Sequence, residues 1–289
     1  MINYSEFYKR AVRFLVNYAD SNNLNSYVLG ISGGIDSTVV AAIAHEASHI
    51  INKNRPFNLY GRYLSTPSNE KDEEKAALKV GNAFCDDFLT FSIQGWFEHL
   101  YPMLWLQEGD MSALQKGNIK ARLRMTYLYH LASITRGCVL DTDNRSEHEL
   151  GFFTVHGDVG DVNCGIIHLW KTEVYELAKY LYEKYDDTMN EGIELSMKLT
   201  PTDGNGVSTS DCAQFGLKNY NEVDAVLKEI HKAEFSGSLS HDIPRETYYD
   251  LINKYGQVGV DGVINIHRKT KFKRKQLPIS PDIGELITE

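Results

Sequence analysis

The sequence predicts an α/β fold built on a doubly wound parallel sheet, and three observations point to it. Short apolar, β-branched runs alternate with amphipathic stretches of helical period, the pattern of successive βαβ units. The first of these runs ends in Ser32-Gly33-Gly34 and passes straight into a helical stretch, which places a glycine turn where such sheets present their C-terminal edge to ligands. The length, 289 residues with no internal repeat and no domain linker, suits a single domain over residues 1–289.

The elements follow in order. Over residues 4–18, Phe7, Val12, Phe14, Leu15 and Tyr18 recur near helical spacing, so the chain opens with an amphipathic helix. Residues 26–31 (SYVLGI) read as a buried strand, and an Ala/Val/Ile helix runs over 37–51. A second strand covers 58–64, a helix 71–83 and a third strand 87–93. Residues 118–134 form a long helix with Leu123, Tyr127 and Leu131 on one stripe. Residues 137–140 (GCVL) give a fourth strand, and 172–185 another helix. Two segments break the pattern. Residues 200–210 are rich in Gly, Ser and Thr, as in a linker or a lid, and residues 267–275 hold six Lys/Arg in nine positions.

Charge narrows the function. Acidic side chains number 39 against 30 Lys plus Arg, a net charge of −9, which argues against a general nucleic-acid partner. A small anion in a local basic pocket stays open. Cys85, Cys138, Cys164 and Cys212 lie far apart without a CxxC pair, as free thiols of a reducing compartment do. Glu6, Lys9, Arg10 and Arg13 interrupt the first twenty residues, so no signal-peptide core is present. No run approaches the roughly 18 apolar residues of a membrane helix. A cytoplasmic protein with no membrane partner is expected.

The most informative stretch is Gly30-Ile31-Ser32-Gly33-Gly34-Ile35-Asp36-Ser37. Adjacent glycines permit positive φ and expose consecutive backbone N–H groups, an anion-binding nest. The following helix aims its positive end at the same spot. Ser32 and Ser37 add hydroxyl donors. Asp36 would repel phosphate unless a cation sits between them, and Mg²⁺ is the usual mediator. A plain glycine turn capped by Ser and Asp accounts for the glycines, but not for both serines and the acid. GxxxxGK[ST] and GxGxxG are both absent.

This stretch resembles the SGGxDS loop of the PP-loop ATP pyrophosphatases, which split ATP between its α- and β-phosphates. Further blocks resemble ammonia-dependent NAD synthetase within that superfamily. They are Gly117-Asn118-Ile119-Lys120-Ala121-Arg122-Leu123-Arg124-Met125, Asp141-Thr142-Asp143-Asn144-Arg145-Ser146-Glu147, Gly151-Phe152-Phe153-Thr154 with Gly157-Asp158, Trp170-Lys171-Thr172-Glu173, Pro201-Thr202 and Phe272-Lys273-Arg274-Lys275-Gln276. The resemblance implies a Rossmann-like adenine nucleotide alpha-hydrolase (PP-loop) fold. It implies that ATP is held by Gly30 to Ser37 with Thr142, Lys171 and Thr202, and Mg²⁺ by Asp36 and Glu147. Deamido-NAD would meet Arg122, Asp158, Asp161 and Lys273. Asp36, Glu147 and Lys171 would carry the catalysis. The implied reaction adenylylates deamido-NAD and releases pyrophosphate; ammonia then displaces AMP to give NAD. A homodimer with interfacial sites is also implied, the long helix from Asn118 contributing to the interface.

The chain departs from that pattern at Val155, Val162 and Phe272, where several ammonia-dependent members carry Lys, Asp and His. Asp141, in place of a glycine, puts an extra acid beside the phosphates. The loop around Glu147, the KTEVYEL helix and the FKRxQ ending look more like the branch fused to a glutaminase, but the chain has no room for such a domain. Free ammonia, or ammonia from a separate partner, is the remaining source. The rival readings are another PP-loop enzyme, tRNA-thiolating or amide-forming, and a zinc helix at His45-Glu46-Ala47-Ser48-His49, which matches HExxH.

Overall fold

The computed structural model describes residues 2–104, 110–201, 210–235 and 243–281. Its elements are α1 (Tyr4–Ser21), β1 (Ser26–Gly30), α2 (Ile35–Asn52), β2 (Asn58–Ser65), α3 (Lys71–Phe84), β3 (Asp87–Ser92), α4 (Gln94–Leu104), α5 (Ala113–Thr135), β4 (Gly137–Asp141), α6 (Arg145–Leu150), β5 (Val162–Asn163), α7 (Lys171–Lys184), α8 (Asp187–Lys198), α9 (Tyr220–Phe235), α10 (Arg245–Tyr255) and α11 (Gln257–Lys269). All strand pairs are parallel, in the order β3-β2-β1-β4-β5. The chain builds outward from β1 to β3, then returns to lay β4 against the other side of β1 (Ser26 beside Gly137). The gap between the diverging connections is the switch point of the doubly wound class.

Alternation along β1 shows why this run becomes a central strand. Tyr27 and Leu29 enter the core made with α1, α2, α3 and α7, where Phe7, Leu15, Val39, Ile43, Val174 and Leu177 are buried. Val28 points the other way, with Val139 and Leu64, onto Met125, Leu128 and Leu131 of α5. A third buried group joins α6, α9, α10 and α11 through Leu150, Val223, Leu227, Leu251, Val260 and Val263. These C-terminal helices stand beside the sheet and cover the end of α6.

The structure corrects several boundaries. The long helix starts at Ala113, not Asn118, because Ser112 and Gln115 form a reciprocal capping box upstream of Gly117. α4, α6, α8, the last three helices and the two-residue β5 are not among the elements read from the sequence, although α8 and α11 are about as amphipathic as α3. In α11 a close approach requires Gly259, since a Cβ there would lie 2.2 Å from Leu217 Cδ2. The HExxH stretch is a packing face: His45 Nδ1 donates to the Phe84 carbonyl at 2.8 Å, its ring lies 4.0 Å from that of His49, and burial lowers its pKa. No helix among the described residues is long and apolar enough to cross a membrane.

Candidate active site

The glycine-serine loop leaves β1 at the switch point and enters α2. Its conformation rests on hydrogen bonds between its own members. Ser37 Oγ lies 3.0 Å from Ser32 Oγ, accepts from Ser32 N at 3.2 Å and donates to Gly34 O at 3.1 Å, while Ser32 Oγ accepts from Gly34 N at 3.2 Å. The two glycines differ in role. Gly33 alone has positive φ, +90°, whereas Gly34 is extended at φ −69° and serves as the N-cap of α2. No side chain caps α2 there, so the opening amides of the helix face the site with its positive end.

Lys171 organises the centre. It starts α7, whose first amides are received by Ser146 Oγ (2.8 Å, from Lys171 N) and Asp224 Oδ2 (2.9 Å, from Thr172 N). Its side chain is only 4% exposed, and its ammonium donates to Glu147 Oε1 at 2.8 Å and to Asp36 Oδ2, with the Tyr220 ring centroid 5.5 Å away. Burial opposes the charge, but the two carboxylates overcome it and hold the Lys171 pKa well above its ordinary value. Asn144 steadies both acids: Nδ2 donates to Asp36 Oδ1 at 2.8 Å, and its Oδ1 caps α6 by accepting from Glu147 N at 3.1 Å. Burial and neighbouring Asp36, against the pull of Lys171, push the Glu147 carboxyl up to about 8.

These groups line a cavity of about 320 Å³ together with Gly30, Ile31, Ile35, Thr142, Asp143, Asp158, Asp211 and Arg124. Three carboxylates, Asp36, Glu147 and Asp211, share this wall with the single ammonium of Lys171. Oxygen donors with an excess of negative charge, set beside a nest of amides, suit Mg²⁺ and a polyphosphate together. The donor set therefore fits the metal, with Asp36 and Glu147 as the residues that would hold it. Asp36→Asn and Glu147→Gln keep the shape of each side chain and remove its charge. Each is expected to lower kcat about 10²- to 10³-fold, the scale of losing one charge-stabilising group, with the folded far-UV circular dichroism spectrum retained. Near-normal rates in both would reject these two as metal carboxylates.

The remaining sequence-predicted residues fall in different places. Asp158 lines the cavity, its Oδ1 accepting from Thr154 N at 2.7 Å. Arg122 is exposed and donates to Val155 O at 3.2 and 3.3 Å. Lys273 Nζ donates to Gly151 O at 2.7 Å and Phe153 O at 2.5 Å. Both cations thus brace the loop that carries Asp158. Asp161 serves the framework instead. Its carboxylate accepts from Tyr129 Oη at 2.8 Å and Val139 N at 3.1 Å, outside the cavity lining, so it fastens β4 to α5. Asp141 is fully buried and turned away from the phosphate loop. It accepts from Gly160 N at 2.9 Å, Asn163 Nδ2 at 2.6 Å and Asp143 N at 3.2 Å, and burial pushes it up to about 7. Arg124 lines the cavity and donates to Leu64 O at 2.8 Å. Thr202 and most of the 200–210 segment lie outside the described residues.

Three site residues were not singled out from the sequence. Asn144 and Asp211 are single polar residues in irregular stretches, and Tyr220 opens a helix that is not among the elements read there. The S/T/D/N-x-x-E spacing of Asn144 and Glu147 is a capping-box signature that could have marked the start of α6.

Comparison with known proteins gives a consistent result. A profile of the family described as NAD synthase matches residues 7–277. The NH(3)-dependent NAD(+) synthetase of Methanococcoides burtonii is 33% identical over 224 residues, 77% of this chain and 78% of that protein. The enzyme of the same name from Thermococcus sibiricus is 29% identical over 282 residues, 98% of this chain and 99% of that one. Among solved structures, an NMN synthetase from Francisella tularensis superposes with a TM-score of 0.73 at 24% identity, covering 98% and 100% of the two chains.

Proposed function

Since the chain belongs to the NAD synthase family, we propose that it is a carbon–nitrogen ligase that amidates deamido-NAD with ammonia and ATP, releasing NAD, AMP and pyrophosphate. The observation that supports it most directly is the Lys171 ammonium, buried between Asp36 and Glu147 at the mouth of the Ser-Gly-Gly loop. The first step brings the nicotinate carboxylate against the α-phosphorus of ATP, and two anions must approach each other. Lys171, the loop amides and the open end of α2 offset that repulsion and receive the charge of the departing pyrophosphate. Mg²⁺ on Asp36 and Glu147 would add Lewis-acid screening of the same phosphates. Ammonia then attacks the acyl carbon and AMP leaves. No side-chain nucleophile takes part, so the chain contributes position and charge.

In this reading Thr142 and Thr202 also contact ATP, while Asp158, Arg122 and Lys273 shape the deamido-NAD side through the 151–158 loop. A thiolating PP-loop chemistry is disfavoured by the cysteines: burial pushes Cys85, Cys164 and Cys212 up to about 12 and raises Cys138 as well, so none is a ready thiolate. The decisive assay supplies ATP, Mg²⁺, deamido-NAD and ammonium and follows NAD and AMP together. Equal amounts of the two products are expected. ADP in place of AMP, or no NAD at any ammonium concentration, rejects the reading, and a parallel arm with nicotinate mononucleotide tests the choice of dinucleotide.

A cytoplasmic homodimer is part of the proposal. Edge strand β3 and helix α4 expose Leu89, Phe91 and Trp96; the last two rings lie 4.9 Å apart, and each is 5.9 Å from the ring of Tyr127 on α5. Such a contiguous apolar face marks an association surface. Light scattering on a sizing column is expected to give twice the chain mass, and Phe91→Glu with Trp96→Glu to give a monomer. A monomeric parent protein would remove this part of the proposal.

A further inference from the structure

A second group of metal-capable side chains lies away from the nucleotide cavity. Glu149 of α6, Glu234 of α9 and His267 of α11 each bring one ligand atom within 4.8 Å of the others, the one such trio among the described residues. His267 is 4% exposed, with Nε2 3.0 Å from Glu149 Oε2. Glu234, half-buried, has no hydrogen-bond or ion-pair partner among the described residues, so its carboxylate faces the other two uncommitted. A second cavity reaches Glu234 and His267, and Asp261, Arg268, Lys271 and Arg274 also line it. Arg274 stands nearby but outside the trio: Nη1 is anchored on the Glu149 and His267 carbonyls at 2.8 Å, and Nε is 3.7 Å from Glu149 Oε2, beyond hydrogen-bond reach.

We propose that Glu149, Glu234 and His267 form a structural Zn²⁺ site, with water as the fourth ligand. One imidazole and two carboxylates are a zinc-type donor set, softer than the all-oxygen set preferred by Mg²⁺. Binding replaces the His267–Glu149 hydrogen bond with metal bonds and gives Glu234 a partner. Because the three ligands come from three helices, the ion ties α6, which carries Glu147 two residues before Glu149, to α9 and α11. The site is independent of the amidation reading and is tested separately from it.

The full chain, loaded with Zn²⁺ and desalted, is expected to retain about one Zn²⁺ per chain by elemental analysis. It should also melt a few degrees above the chelator-treated chain. Glu234→Gln, at a half-buried and otherwise unpaired position, is expected to lose both the zinc and the shift while leaving Mg²⁺-supported turnover unchanged. His267→Gln should do the same. Asp36→Asn separates this site from the carboxylates beside Lys171 and is expected to keep the full zinc content. Absence of zinc in the parent chain, its retention in Glu234→Gln, or its loss in Asp36→Asn overturns the proposal.

Discussion

Replacing Lys171 by Met is expected to lower kcat/KM by at least about 10³-fold, because the buried ammonium between Asp36 and Glu147 is then gone. Its effect on stability depends on pH. Removing one member of a buried ion pair costs about 3–5 kcal/mol when the other stays charged. Here Glu147, already pushed up to about 8, takes up a proton and softens the loss. A carboxyl raised in the folded state holds a proton that the unfolded chain releases, so stability falls as pH climbs from the unfolded value toward the folded one. In the parent protein that loss levels off near pH 8, where Glu147 ionises against Lys171. In the variant nothing receives the ionised form, and the loss continues at about 1.4 kcal/mol per pH unit. Melting curves of the two proteins should lie close at pH 6 and separate above pH 8. A constant gap across that range would show that Lys171 and Glu147 are not coupled.

Gly33→Ala is expected to be nearly as damaging, for a steric reason. At φ +90° an alanine is strained, and its Cβ would lie 2.2 Å from the Glu73 carbonyl oxygen, 3.0 Å from Glu73 C and 3.1 Å from Ala77 N. All three are backbone atoms of α3, so no rotamer change relieves the clash; the loop or α3 must move. The strain alone is worth about 1–3 kcal/mol, and a displaced loop loses its aim at the phosphates. Calorimetric titration should find ATP binding weakened at least about 100-fold, since misplacing groups by an ångström carries that scale of loss. Gly34→Ala is the control. Its Cβ would meet only Ser32 Oγ at 3.3 Å, a hydroxyl able to rotate aside, so binding should change by less than about tenfold. Equal losses at both positions would mean that the pair matters for flexibility and not for the one backbone geometry.

That contrast also shows how far the sequence could be read. Adjacent glycines announced a nest, because Ser32-Gly33-Gly34 follows an apolar strand and precedes a helix, and this context is local. Which glycine is obligatory is decided by α3, some forty residues away. The same division runs through the site. Asp36 was legible from the glycine-serine loop and Glu147 and Lys171 from the blocks that resemble NAD synthetase, yet their convergence is a tertiary fact. Asp141 and Asp161 stand in the right blocks, but the side chains turn toward backbone amides around β4. β1, β2 and β4 were visible because buried parallel strands are continuous apolar runs, and β3 through its Phe, Leu and Thr content, although it lies exposed at the sheet edge. α9 to α11 were not read, although Val223, Val226, Leu227 and Ile230 recur at helical spacing along α9.

The anchoring of α6 by Lys273 and Arg274 has a consequence for the order in which the protein becomes competent. Those two side chains hold the carbonyls of Glu149, Gly151 and Phe153, and Ile279 pairs with the β5 edge through Asn163 N and Asp161 O at 2.8 and 2.9 Å. During synthesis these residues emerge well over a hundred positions after the acid they steady. A nascent chain can close its sheet around β1 and even shape the glycine-serine loop, but the carbonyls at the end of its Glu147 helix lack these anchors until this late segment arrives. Ribosome-bound intermediates that stop before Lys271 should therefore be folded in their first half and silent.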